Sequence, residues 1–125
     1  MEITLTADLH LTSMDKHPER FNALEQICTA SVEMGIQHVI FAGDTFNQGT
    51  TSLGALENLL QNYEDLSFHM IPGNHDPILS ASMSTLPDLR IYEDPEILDL
   101  GPGIAPLLLI PYRHGTTMGE HIEPF

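Results

Sequence analysis

The sequence is poor in basic residues, with four Lys and Arg against 18 Asp and Glu and a formal net charge of −14. Nucleic-acid affinity comes largely from Lys and Arg contacts to phosphate, so this balance argues against DNA binding by the chain alone. Cysteine is nearly absent as well. Because Cys28 stands alone, an intrachain disulfide is excluded, and a reducing, cytoplasmic location is expected.

Long apolar runs are also missing. No run approaches the roughly 18 residues that a bilayer-spanning helix needs, and the longest, 105–112, contains two prolines and is typical of a strand. The N-terminus lacks the basic region of a signal peptide. We therefore expect no membrane association. A hydrophobic share of 42% over 125 residues fits one globular domain, 1–125.

The apolar pattern predicts alternating strands and helices. Short apolar runs at 3–7, 38–42 and 67–72 predict strands, whereas 18–34 and 53–63 show helical spacing. Strand, helix, strand, helix, strand implies right-handed crossovers and a parallel sheet, so the predicted fold class is α/β. On the first helix the predicted apolar face consists of Phe21, Leu24, Cys28 and Val32. Ser52 is the predicted N-cap of the second helix.

The pattern changes after Pro77. Residues 78–87 read as a loop with a short helix, and shorter strands are predicted at 90–92, 96–100 and 105–111. The polar segment 113–125 is expected to begin another helix.

Three short polar segments each follow a predicted strand: Asp8-Leu9-His10, Gly43-Asp44 and Gly73-Asn74-His75-Asp76. In a parallel α/β sheet, ligands bind beyond the carboxyl ends of the strands. Alternate residues of a strand point to the same side, so we expect the side chains of Asp8 and His10 to bind one cation together. The three segments predict a polar site at this edge of the sheet.

The residue types suit a two-metal site. Asp44, in a turn that Gly43 keeps tight, can bridge two cations about 3.5–4 Å apart, and the Asn74 amide oxygen can bind the second. This mixed oxygen and nitrogen set suits Mn²⁺, Fe²⁺ or Zn²⁺. His75 would protonate a leaving oxygen while Asp76 orients its ring. The attacking group would be a metal-bound hydroxide, because a cation lowers the pKa of bound water toward neutrality.

Each segment alone has a simpler interpretation. Asp8 could be a turn residue, Asp44 a helix-capping carboxylate, and 73–76 an ordinary turn. Three such segments in order, each after a strand, favour the functional interpretation. The remaining histidines before the third segment follow no motif and are expected to be structural or solvent-exposed: His17, His38 and His69.

The three segments resemble the first three motifs of the calcineurin-like metallophosphoesterase superfamily. With their flanks, 7–11, 41–47 and 71–76, they are most similar to the SbcD-type DNA repair exonucleases, as is 109–113. The resemblance extends from Met1 to about Arg113. It implies a two-sheet α/β sandwich flanked by helices and a pair of divalent ions, of which Mn²⁺ is the usual choice.

The resemblance also implies a role for each polar residue of the segments. The metal ligands would be Asp8 and His10 on the first ion, Asp44 as the bridge, and Asn74 on the second. The catalytic residue would be His75, supported by Asp76. The implied activity is metal-dependent cleavage of DNA phosphodiester bonds, as an exonuclease or endonuclease in repair or recombination, with an SbcC-like ATPase partner.

This family adds a further histidine and a Gly-His-x-His segment, and the chain has no Gly-His-x-His. The later histidines, His114 and His121, are expected on the surface of a terminal helix rather than at the metals. We therefore expect 1–125 to be the N-terminal portion of the domain, with an incomplete sheet and an unpaired edge that invites association, a homodimer included.

Two alternatives stay open. The acidic surface favours a metallophosphoesterase that acts on nucleotides or small phosphodiesters. The missing histidines favour a truncated metal-binding remnant or interaction module without catalysis, or a site that a second chain completes.

Overall fold

The structure is a computed structural model that describes residues 2–13, 16–47, 52–73 and 79–112. Three residues of the third motif, Asn74, His75 and Asp76, lie outside the described residues, as do His114 and His121 of the expected C-terminal helix.

Within the described residues, four parallel strands form the main sheet, in the order in which they occur along the chain. They are β1 (Thr4–Thr6), β2 (His38–Ala42), β3 (Ser67–Ile71) and β4 (Leu89–Ile91). In the register, Leu5 pairs with Ile40 and Ile40 pairs with His69. The parallel sheet predicted from the strand and helix order is confirmed.

A second, antiparallel sheet consists of β5 (Glu96–Leu98) and β6 (Leu107–Leu109). Both strands are shorter than the apolar runs that predicted them, because only three residues of each pair with the other. The segment predicted as a loop with a short helix contains one 3₁₀ turn at Ala81–Met83.

Two helices connect the first three strands. Helix α1 (Pro18–Glu33) begins at a proline, whose missing N–H is unneeded in a first turn, and ends just before Gly35 in a left-handed conformation. Helix α2 (Leu53–Leu60) ends three residues before the predicted Tyr63. Among the described residues, no helix is long and apolar enough to cross a membrane.

The prediction that Val32 belongs to the buried face of α1 was wrong. Val32 is 39% exposed, and Ser31 takes the buried position instead. The Ser31 hydroxyl hydrogen-bonds to the Ile27 carbonyl at 2.8 Å and to Thr4 Oγ1 of β1 at 2.7 Å. At 100° per residue, Ser31 lies within about 20° of the fully buried Leu24 around the helix axis, whereas Val32 lies about 80° from it.

Hydrophobic clusters cover both faces of the parallel sheet. Along β2, Val39 and Phe41 belong to the larger cluster, which also contains the buried residues of α1 and α2. Ile40 between them belongs to the smaller cluster, together with Tyr92 and Leu109. Since successive strand residues point to opposite faces, the helices cover one face and the antiparallel sheet covers part of the other. This layering positions the strand ends that carry the candidate site.

Candidate metal centre

The loops after β1 and β2 stay paired beyond the ends of the strands. Asp8 N–H donates to the Gly43 carbonyl at 3.1 Å, and His10 N–H donates to the Asp44 carbonyl at 3.1 Å. Further along, Leu11 N–H donates to the Thr45 carbonyl at 2.8 Å. The first two polar segments are therefore held in fixed register by backbone hydrogen bonds.

Three of the predicted ligands have left-handed backbones, with φ of 55° at Asp8, 49° at His10 and 50° at Asp44. The predicted strand alternation for Asp8 and His10 was therefore wrong: β1 ends at Thr6, and left-handed turns bring the two side chains together. Asp and His tolerate this region better than most residues, yet the left-handed conformation costs roughly 1–2 kcal/mol of conformational free energy at each position. Such strain persists only where surrounding contacts enforce it, and it clusters at functional sites.

The same three side chains converge. Asp8, His10 and Asp44 each offer a ligand atom, and these atoms lie within 4.8 Å of one another. His10 Nε2 lies 3.9 Å from Asp8 Oδ1. Ligands of one cation, each about 2.0–2.4 Å from it, would lie at most about 4–5 Å apart. The residues present therefore fit a divalent cation.

Two glycines let the second and third segments approach each other. Gly43 has φ of +105°, and a Cβ atom there would lie 3.4 Å from the Gly73 Cα. A Cβ atom at Gly73 would overlap the backbone nitrogen and Oδ1 of Asp44 and lie 2.9 Å from its Cγ. Gly73 thus leaves the space that the Asp44 carboxylate occupies.

Two further side chains bind the first loop, one from α1 and one from the residue just before α2. Arg20 Nη1, from α1, donates to the His10 carbonyl at 2.6 Å. Ser52 Oγ donates to the Thr12 carbonyl at 2.6 Å and makes no side-chain capping bond to α2, although Ser52 occupies the predicted N-cap position. Neither contact was predicted from the sequence. One sequence feature could have indicated Arg20: it is one of four basic residues in the chain, and it follows the first motif closely.

The structure brings together three of the six predicted site residues. The other three, Asn74, His75 and Asp76, lie outside the described residues. Gly73 immediately precedes them and lies against Asp44, so the third segment starts at the site.

A separate pair of histidines lies under the other face of the sheet, with His69 buried and His38 half-buried. His38 Nδ1 lies 3.1 Å from His69 Nε2, and His69 Nδ1 lies 2.8 Å from the Tyr92 hydroxyl. Burial, reinforced by His38 and Arg90, lowers the pKa of His69 to about 4. Burial also raises the pKa of Tyr92. As expected from the absence of a motif, His69 has a structural environment, with its ring held between His38 and the Tyr92 hydroxyl.

A family model described as calcineurin-like phosphoesterase matches residues 1–119. The chain belongs to the calcineurin-like phosphoesterase family. Its members are phosphoester hydrolases that use divalent metals, which agrees with the Asp-His-Asp arrangement. The family assignment confirms the resemblance at the superfamily level and agrees with the mixed α/β fold.

Among solved structures, the chain is similar to the crystal structure of Pseudomonas putida nuclease MPE, with a TM-score of 0.54 and 19% sequence identity. The similarity covers 78% of this chain and 50% of the nuclease, so the chain spans about half the length of that structure. At this identity the similarity shows the shared fold. No curated protein matches the chain significantly.

Proposed function

We propose that the protein hydrolyses phosphodiester bonds in a metal-dependent reaction. The observation that carries the proposal is the convergence of Asp8, His10 and Asp44, each in a strained left-handed conformation, against a glycine that leaves room for the Asp44 carboxylate. Three costly backbone conformations at one point are accounted for if the side chains bind a cation there.

The residue roles follow the motif order. Asp8 and His10 would hold a first cation, Asn74 would hold a second, and Asp44 would be a ligand shared by both. His75 donates a proton to the leaving oxygen, and Asp76 orients the His75 ring. When bound, the divalent ions acidify water and neutralise charge on the phosphoryl group. The oxygen and imidazole donors favour Mn²⁺, with Fe²⁺ or Zn²⁺ as alternatives.

For the substrate we propose DNA, cut by an exonuclease or endonuclease of the SbcD type in repair or recombination. The local sequence around the three motifs supports this proposal, and so does the fold shared with a protein described as a nuclease. The net charge of −14 favours a second candidate, hydrolysis of nucleotides or small phosphodiesters.

The domain context, the cellular location and the partners of the protein are proposed from the resemblance to the SbcD-type nucleases. Residues 1–125 would form the N-terminal portion of the domain, and the Gly-His-x-His ligands that they lack would come from other residues of the domain or from a second, different chain. A homodimer is proposed separately, through the unpaired edge of the sheet. A cytoplasmic location and an SbcC-like ATPase partner would complete the SbcD-type role.

The test is Mn²⁺-dependent cleavage of linear duplex DNA and of bis(p-nitrophenyl) phosphate by the protein with its complete domain. We expect His75→Ala to lose both activities and the matched variant His17→Ala, on a residue outside the motifs, to keep them. Cleavage of the small diester without cleavage of DNA would favour the second candidate. Full activity of His75→Ala would show that the role given to His75 is wrong.

A further inference from the structure

We infer that Arg20 is a positioning residue that holds His10 in its ligand conformation. This inference rests on the proposed function, because it concerns the same metal centre. It adds a residue from helix α1 to a site whose other members all come from loops at strand ends.

The contact is short and charge-assisted. Arg20 lies in the first turn of α1, its own N–H bonded to the His17 carbonyl at 3.1 Å, so its backbone position is set by the helix. Its guanidinium Nη1 reaches the His10 carbonyl oxygen at 2.6 Å in a partly buried setting. Hydrogen bonds from a charged donor are roughly twice as strong as neutral ones.

The bond acts on the peptide plane that follows His10. The plane before His10 is fixed by the His10 N–H bond to the Asp44 carbonyl, at 3.1 Å. The plane after it is fixed by the Leu11 N–H bond to the Thr45 carbonyl on one side and by Arg20 on the other. Orienting both planes sets φ and ψ of His10, and with them the direction of its side chain. A left-handed φ of 49° needs such support.

The positioning role and a purely electrostatic role of Arg20 predict opposite effects of its removal on Mn²⁺ affinity. A cation beside a metal site repels the metal, so removing a purely electrostatic Arg20 would tighten Mn²⁺ binding. If Arg20 positions His10, its removal instead weakens binding. Lys16, four residues earlier and exposed, provides a charge-matched control, because no side-chain hydrogen bond joins it to the described residues of the loop.

The experiment measures Mn²⁺ affinity by calorimetry for the 125-residue chain and for Arg20→Met, Arg20→Lys and Lys16→Met. Loss of an outer-shell partner typically costs about 10–100-fold in metal affinity, and we expect Arg20→Met to fall in that range. Arg20→Lys retains a charged donor and should recover part of the loss. Lys16→Met should bind as tightly as the unmodified chain or more tightly.

A spectroscopic readout separates positioning from general damage. With Co²⁺ as the probe, Arg20→Met should shift the visible absorption bands, because the imidazole ligand is displaced, while circular dichroism without metal stays unchanged. If Arg20→Met does not fold, Arg20→Lys alone tests the positioning role. We then expect Arg20→Lys to bind Mn²⁺ more weakly than the unmodified chain and to shift the Co²⁺ spectrum.

Three results would overturn the inference, and they can be told apart. If the unmodified chain binds no Mn²⁺, the proposed metal centre fails and the inference fails with it. If the chain binds Mn²⁺ and Arg20→Met binds equally well with an unchanged spectrum, only the positioning role fails. Tighter binding by Arg20→Met would show that Arg20 acts through its charge.

Discussion

Gly73 lies against Asp44 so closely that a methyl group on its α-carbon would lie 2.9 Å from the Asp44 Cγ and would overlap the carboxylate oxygen. The overlap also involves the Asp44 backbone nitrogen, which cannot swing aside as a flexible side chain would. The space beside Asp44 therefore exists only while position 73 lacks a side chain.

Gly73→Ala should displace Asp44 and weaken Mn²⁺ binding by about tenfold or more, since a shift of Asp44 takes one ligand atom away from the cluster that it forms with Asp8 and His10. The forced overlap should also lower the free energy of unfolding by about 1–3 kcal/mol. Calorimetry with Mn²⁺ and urea unfolding without metal measure the two effects separately.

The matched control is Gly54→Ala. Gly54 lies inside α2, and a Cβ atom there would have no neighbour within 4 Å. Alanine should raise the stability by about 0.5–1 kcal/mol, because it favours the helix and restricts the unfolded chain, and it should leave metal affinity unchanged. Equal metal affinity in Gly73→Ala and Gly54→Ala would contradict the close-packing explanation.

The His69 pKa predicts a pH dependence of stability. Its pKa is lowered from 6.5 to about 4 in the folded protein, so the unfolded chain binds more protons in that window. Stability should therefore fall as the pH drops from about 6.5 toward 4, with His69 contributing up to about 3 kcal/mol. Urea unfolding across this range should show a shallower slope in His69→Gln than in the unmodified chain.

Tyr92→Phe tests the cause of this pH dependence. It removes the hydroxyl that contacts His69 Nδ1 but keeps the ring that helps to bury it. Because burial is the main cause of the lowered pKa, the slope should persist in Tyr92→Phe. Parallel pH profiles for His69→Gln and the unmodified chain would show that His69 does not titrate as stated.

Cys28 should be chemically inert in the folded protein. It is fully buried among core side chains, and burial raises the pKa of its thiol to about 12, so the reactive thiolate is scarce near neutral pH. We expect no reaction with Ellman's reagent without denaturant and one thiol per chain in urea. Rapid labelling of the native protein would contradict the burial of this helix face.

The sequence predicted those elements whose signal is local. The bounds of β2, His38–Ala42, match its uninterrupted apolar run, and α1 starts at the predicted proline. Strand β1 is shorter than its run because only Thr4–Thr6 find partners in β2, which depends on the fold as a whole. The sequence also predicted that Asp8, His10 and Asp44 share one site, and the structure brings these three together.

What the sequence did not reveal depends on contacts between distant residues. Nothing near His10 indicates a left-handed backbone, since that conformation comes from bonds to the loop after β2 and to Arg20. His69 was expected to be structural or exposed, and its buried environment depends on Tyr92, 23 residues away. Likewise, Ser52 bonds to Thr12 instead of capping its helix because folding brings the two loops together.

The most direct test of the central claim is Mn²⁺ binding by calorimetry to the unmodified chain, to Asp44→Asn and to the exposed-surface control Asp65→Asn. We predict saturable binding that Asp44→Asn abolishes and Asp65→Asn preserves, because Asp44 joins Asp8 and His10 at one point whereas Asp65 lies in a separate turn. No binding by the unmodified chain, or equal binding by Asp44→Asn, would contradict the assignment of this cluster as a metal centre.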